Sequence, residues 1–351
     1  MNLTTAATNV VLTRATLAPD VPQSLITAGV VIIIIVACIG ILGNTLVIAA
    51  VFLHKKLRSV HNVFVVNLAV ADLVVNIFIE PFLIVGSLDR GPFFYKHYSL
   101  CEAIAAMVVI SCVTSIFSIA SIAVERYVFI CHNAKHGTLY NKITLPFIVG
   151  GVWLYALLVD LPNFKFIGWG GHSFNPEILA CAFDYAKANE SGYNYFIFVF
   201  GFLIAVIALF FCYIRIYVFV RKSRTRMQAH YARNSGISLA SNTSNSAANL
   251  CTTGTEIEMA DKQVLKVTAV ILAVFCLMWS PFMIVTSLST WVTFPNWLYF
   301  VSGVMCVSNS SINFMIYALN EEFRVGYALV KTRMLHHCKK VNVLSFMNKG
   351  R

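Results

Sequence analysis

Asp72 and Glu80 stand inside a long apolar run with no base beside them, and Glu125 ends another such run, followed at once by Arg126 and Tyr127. An ionised carboxylate in an apolar surround needs a cation or several hydrogen-bond donors. Asp72 therefore implies either polar partners from other segments, a bound ion, or a protonated acid. Glu80 lies about six residues from the end of its run, so it reads as a second buried acid or as a solvated group at the outer rim. Arg126, at the edge of a hydrocarbon layer, must be paired or must snorkel to the headgroups. Its candidate partners are the adjacent Glu125 and Asp261, at the mouth of a later run, unless Asp261 belongs only to a solvated loop end. The apolar runs hold no metal-spaced His/Cys group and no nucleophile–base pair, so an enzyme is not expected.

The elements that must position these groups are membrane spans. Of 351 residues, 58% are hydrophobic and 12% charged, the balance of a polytopic membrane protein. Apolar runs fall at about 25–53, 62–86, 98–131, 143–162, 193–219, 262–290 and 297–319, each near or above the roughly 20 residues a bilayer needs. The expected fold is an all-α, seven-transmembrane helix bundle. Only Arg14, Arg90, Lys96, Lys165 and Lys187 lie on one side, and the other twenty-one of the 26 Lys and Arg lie on the opposite side. The net charge of +11 is then topology under the positive-inside rule, and no nucleic acid is implied. This places residues 1–24 as an extracellular tail, the seven spans at 25–319, and 320–351 as a cytoplasmic amphipathic helix and tail, in the plasma membrane.

Of ten Cys, only Cys101 and Cys181 fall outside, where they read as one disulfide, with two free thiols as the alternative. The polar N-terminus shows no cleavable leader. Asn2 and Asn189 head glycosylation sequons on outer segments, whereas the sequon at Asn242 is on the inner side. Residues 227–261 are rich in Ser, Asn, Thr and Ala without hydrophobic period, which predicts a disordered inner loop. From Asn320 onward, Phe323, Tyr327 and Leu329 alternate with basic residues, as in a helix lying on the inner leaflet. Cys338 beyond it is a palmitoylation candidate, a free thiol being the alternative.

These residues together resemble the rhodopsin-like G-protein-coupled receptors. The likeness is carried by Gly43-Asn44, Asn67 to Asp72, Cys101, Glu125-Arg126-Tyr127, Trp153, Trp279 with Pro281, and Asn313 with Tyr317. Within that family the chain looks most like melatonin receptors: Lys55 to Arg58, Phe64 to Val75, Ile130-Cys131-His132, Leu161-Pro162-Asn163 and Phe211-Cys212-Tyr213 match. The departures concern the ligand. Melatonin receptors carry Asn-Arg-Tyr where Glu125-Arg126-Tyr127 stands; their fifth-span His aligns with Gly201, their loop Gln falls near Tyr185, and Glu80 replaces a Tyr. Asn163 and Phe183, the family's methoxy partner and stacking aromatic, are kept.

The resemblance implies a sodium ion held by Asp72, Ser115, Asn309 and Asn313, and a switch at Trp279 above the inner half of the bundle. If Arg126 pairs with Asp261, the bridge would tie the third and sixth spans at rest and its release would let the sixth span swing outward; the alternative leaves Asp261 in the solvated loop end. The ligand pocket is expected in the outer half, lined by Met107, Val108, Ile110, Ser111, Cys112, Asn163, Phe183, Met283, Thr286 and Met305. Val108 stands where receptors for charged amines carry Asp, leaving Glu80 as the only evident partner for a cation. Such a lining suits a small, flat, mostly neutral molecule. The expected partners are that ligand, a heterotrimeric G protein of the inhibitory class, arrestin and membrane lipids. Melatonin itself is expected to bind weakly, because Gly201 and Tyr185 remove two partners. The alternatives are a receptor of the same fold for a lipid, peptide or amine, or an opsin relative without retinal, since residues 297–319 contain no Lys to form a Schiff base. A transporter is disfavoured by the absence of internal repeats.

Overall fold

Segments of this hydropathy can satisfy their backbone polar groups in hydrocarbon only through their own i→i−4 hydrogen bonds, so they form helices. A computed structural model describes residues 21–184, 192–235, 269–289 and 291–348, with no side-chain description for 224, 227–235 and 337–348. Asn2, Tyr185, Asn189, Asp261 and the side chain of Cys338 lie outside the described residues.

Helix α1 is Gln23–Leu53, α2 Val60–Asp89, α3 Tyr98–Cys131, α4 Thr144–Asn163, and α6 Ala269–Leu288, each long and apolar enough to span a bilayer. Helix α5 covers 193–235 and α7 covers 296–317. Helix α8, Glu321–Asn348, follows after a short break. The bundle is inside out relative to a soluble protein. Ile32, Ile35, Leu42, Phe52, Phe147 and Leu154 point outward and exposed, a surface only hydrocarbon would cover. Helix α3 runs through the middle, with sixteen residues from Cys101 to Glu125 buried.

Three irregularities place the functional groups. In α2 the residues Val75–Ile79 form a π-helical turn, which holds one residue more than an α-turn. One residue is worth about 100° of rotation. Eight α-helical residues would set Glu80 about 80° off the Asp72 face, and the wide turn brings it back. Asp72, Asn76, Glu80 and Leu83 are consequently all buried, and Glu80 is 0% exposed. The solvated reading of Glu80 is thereby corrected. A second π turn, Ile197–Leu203, lies in α5. Helix α7 narrows to a 3-10 turn at Asn309–Ser311, where Asn and Ser side chains compete with the backbone ladder. That break is why only six uninterrupted helices reach spanning length among the described residues.

Residues 227–235, expected to belong to the disordered loop, instead continue α5, since nothing in Met227 to Ser235 breaks a helix before Gly236; residues 236–261 of that expected loop lie outside the described residues, as do 262–268. Over the outer end, β1 (His172–Asn175) and β2 (Ala180–Phe183) form an antiparallel hairpin. It is tied to the top of α3 by the Cys101–Cys181 disulfide. Helix α8 packs Phe323 on Tyr317 with ring centroids 5.4 Å apart, and its Tyr327 hydroxyl donates to the Phe314 carbonyl. Its Gly326 sits against Ala50 and Leu57, where a Cβ would come to 3.0 Å from both side chains, a tight contact.

Candidate functional site

A cavity of about 90 Å³ opens beneath the hairpin, between α2, α3, α6 and α7. Its lining includes Val108, Cys112 and Phe183, as expected, together with Ile79, Phe82, Leu83, Val109, Ile178, Trp279, Phe282, Cys306 and Val307. No charged residue is among its described lining. Trp279 closes the floor in a stack with Phe275 and Phe202, at centroid distances of 5.5 and 6.4 Å. The indole Nε1 of Trp279 is buried without a hydrogen-bond partner.

Several expected lining residues are elsewhere. Asn163 is buried and fully used: its amide donates to Asp160 (2.8 Å) and to the Tyr193 hydroxyl (2.7 Å), and its oxygen accepts from the Gly171 amide (3.0 Å). His172 completes that network by donating to Asp160 at 3.0 Å, which anchors the hairpin to α4. A Cβ on Gly201 would meet Ile197, Val113 and Val159 at 3.3 to 3.7 Å, a direction away from the cavity. The Thr286 hydroxyl donates to the carbonyl of Phe282 in its own helix. Met107, Ile110, Ser111, Met283 and Met305 are also absent from the lining, as is Glu80, whose two carboxylate oxygens have no hydrogen-bond partner. Phe82, Ile178 and Cys306 could not be found as lining residues in advance, since apolar residues at helical spacing read equally as core.

Deeper in the bundle the expected polar cluster assembles. Asp72 accepts from the Ser115 hydroxyl at 3.2 Å and from the Asn313 amide at 2.8 Å. Asn309 lies among these elements with a buried carbonyl oxygen that has no partner. A carboxylate bonded to a hydroxyl, with an unpartnered amide oxygen on a neighbouring turn, is the oxygen chemistry a hard monovalent cation would take. Around the cluster, Asn67 joins three helices by donating to Ser118 (2.8 Å) and accepting from the Trp153 indole (2.9 Å). Asn44 donates to the Ser310 carbonyl at 3.0 Å, tying α1 to the break in α7.

At the inner end, Glu125 is 1% exposed and is met from two other elements. His136, in the helical turn Asn133–Leu139, donates to Oε1 at 2.8 Å. Arg126 Nε lies 2.9 Å from Oε2, and His61 Nδ1 lies 3.3 Å from the same oxygen. Tyr127 bonds His132 at 3.0 Å instead of joining the group. The two histidines were missed because neither stands near Glu125 in a recognisable motif. Arg126 therefore has partners within its own helix and α2, and its expected bridge to Asp261 concerns a residue outside the description.

Residues 43–317 match the 7 transmembrane receptor (rhodopsin family), and the chain belongs to that family of signalling receptors, which are not enzymes. Among curated relatives, the melatonin receptor type 1A of Mus musculus is 31% identical over 304 residues, 84% of this chain and 78% of its own. The melatonin receptor type 1B-B of Danio rerio is 30% identical over 308 residues, 86% of this chain and 80% of its own. Squid rhodopsin superposes with a TM-score of 0.73 at 22% identity over 91% of this chain and 88% of its own, a likeness of fold. The protein is thus a multi-pass membrane receptor with a ligand and a G protein as partners.

Proposed function

We propose that this receptor binds a small, largely neutral and lipophilic extracellular ligand and activates a heterotrimeric G protein of the inhibitory class, lowering cyclic AMP. The observation that carries this reading is the cavity lining. It offers apolar side chains and the two thiols of Cys112 and Cys306, with no charged side chain among its described lining. A cation there would lose hydration without gaining a counter-charge, and Glu80 is shut away from the space. A neutral, lipophilic molecule suits it. The inhibitory class and the alternation between resting and active forms rest on the likeness to melatonin receptors. An outward N-terminus rests on the charge asymmetry, glycosylation at Asn2 and Asn189 on their sequons, and a lipid on Cys338 on its place after the inner-leaflet helix; arrestin as a further partner rests on the family.

Melatonin itself is proposed to bind poorly. Asn163 already has its hydrogen-bonding groups engaged within the protein, and Gly201 offers no side chain. Sodium at Asp72, Ser115, Asn309 and Asn313 would neutralise the carboxylate and hold α2, α3 and α7 together at rest.

A screen of neutral indoleamides, small lipids and amines against purified receptor and G protein tests the reading by nucleotide exchange. Neutral compounds should be the activators, and Cys112→Trp, which fills the cavity, should abolish their effect. Activation by permanently charged amines alone, or unchanged activation of the Cys112→Trp receptor, would overturn it.

A further inference from the structure

Two thiols reach the cavity from different helices, Cys112 from α3 and Cys306 from α7 just before its 3-10 turn. Both are free, although Cys181 on the same lining is joined to Cys101. The Cys306 thiol has Cys112 as its side-chain hydrogen-bond partner. Two sulfurs that meet between helices and open on a cavity form a pair of soft donors, and soft donors select soft cations. An organic cation finds no counter-charge in this space. A thiophilic metal makes its own, because binding displaces a thiol proton.

The number of donors decides which metal the pair can take. Structural zinc is held by four ligands, and no group of three or more His, Cys, Asp or Glu among the described residues is placed to hold a metal ion. Copper(I), a closed-shell monovalent ion, is satisfied by two sulfurs on opposite sides. Twice a metal–thiolate bond of roughly 2.3 Å is about 4.6 Å, slightly more than a thiol–thiol hydrogen bond spans. One thiolate neutralises a monovalent ion, so no net charge enters the apolar surround.

We propose that Cys112 and Cys306 form a binding site for a soft monovalent metal ion, copper(I) in type, which joins α3 to α7 and takes space from the organic ligand. The step exchanges a proton for the ion. The S–H bond of Cys112, the less buried thiol, breaks and its proton passes to water. A metal–sulfur bond forms at that thiolate, and Cys306 gives a sulfur lone pair while keeping its hydrogen. One positive charge enters and one leaves. The other neighbouring thiols, Cys131 and Cys212, lie where the Arg215 charge acts on Cys131, which opposes a second cation. The metal site goes beyond the ligand reading and rests on it only for the loss of activation.

The test offers copper(I), held by bicinchoninate with ascorbate under anaerobic conditions, to the purified full-length chain in lipid nanodiscs. Wild type should withdraw about one equivalent more than Cys112→Ser or Cys306→Ser, releasing about one proton for that ion. Cys112→Ala and Cys306→Ala serve where a Ser variant does not fold. Cys306→Met, which keeps a soft sulfur without an S–H, should retain the equivalent, and zinc should not displace it. Silver(I), a redox-inert probe, should raise the melting temperature of wild type and Cys306→Met but not of the Ser variants. Receptor loaded with silver and freed of excess should lose ligand-driven nucleotide exchange in wild type and keep it in Cys306→Ser. If the Ser or Ala variants retain the extra copper, or zinc displaces it, the proposal is overturned. If copper uptake depends on both sulfurs but no organic ligand drives exchange, the metal site stands and the ligand reading fails.

Discussion

Asp72 and Glu80 are both carboxylic acids buried on one face of α2, and they are held differently. Asp72 accepts from Ser115 and Asn313, so truncation to Ala would leave both without that acceptor, at about 1–3 kcal/mol for each buried group. Asp72→Asn retains the shape and removes the charge. Wild-type melting temperature should rise with sodium chloride and not with choline chloride, while Asp72→Asn should respond to neither. An equal response to both salts in wild type would remove the ion from the cluster. Glu80 has no hydrogen-bond partner for either oxygen. Glu80→Gln should stabilise the protein at about pH 8 by roughly 1–3 kcal/mol, read as a higher melting temperature, and leave the affinity of a cavity ligand unchanged. Asp72 could be read from sequence because an acid flanked by apolar residues has few physical explanations. Asn163 could not, since its role depends on Asp160, Tyr193 and Gly171, which only the folded hairpin brings to it.

Spans are the most legible elements, because length and hydropathy alone define them, and α3 begins and ends at Tyr98 and Cys131, close to the expected limits. The wide turns in α2 and α5 and the narrowing in α7 are not legible. A π turn differs from an α turn by one residue, and apolar sequence carries no mark of it. The hairpin is not legible either, because its position depends on the bridge from Cys181 to Cys101. That disulfide closes a separation of 80 residues. Cys101→Ser with Cys181→Ser should cost about 2–5 kcal/mol and loosen ligand binding beneath the hairpin, measured by melting and by radioligand dissociation rate. Helix α8 has its own tether. His54, joined by Lys56, holds the Glu322 carboxyl below its usual value. A depressed carboxylate contributes where it is ionised in the unfolded chain, and that contribution disappears as pH falls through the folded value. Glu322→Gln should therefore match wild type in α8 docking at strongly acid pH and fall behind it at neutral pH, by fluorescence of a label on Met334. The gap should be small, because the pair is partly exposed.

At the scale of the molecule, polar groups sit at three levels along an otherwise apolar bundle: the Asp160 network under the hairpin, the Asp72 cluster in the middle, and the Glu125 group at the inner end. Each joins helices distant in sequence. Fold class followed from composition and charge asymmetry because the bilayer permits so few spanning architectures. The ligand did not follow, because a pocket is made of directions. Gly201, Thr286 and Asn163 lie near the expected depth and face elsewhere.

The wide turn at Val75–Ile79 bears on how this chain can be recombined with its relatives. Excising any one of those five residues would restore regular winding and swing the outer half of the second helix by about 100°, turning Glu80 toward lipid and Phe82 out of the cavity wall. Transplants of that outer half into a receptor wound without the extra residue must be spliced one position out of register. A swap made by simple counting would present the wrong stripe of side chains to the ligand even where every residue is correct.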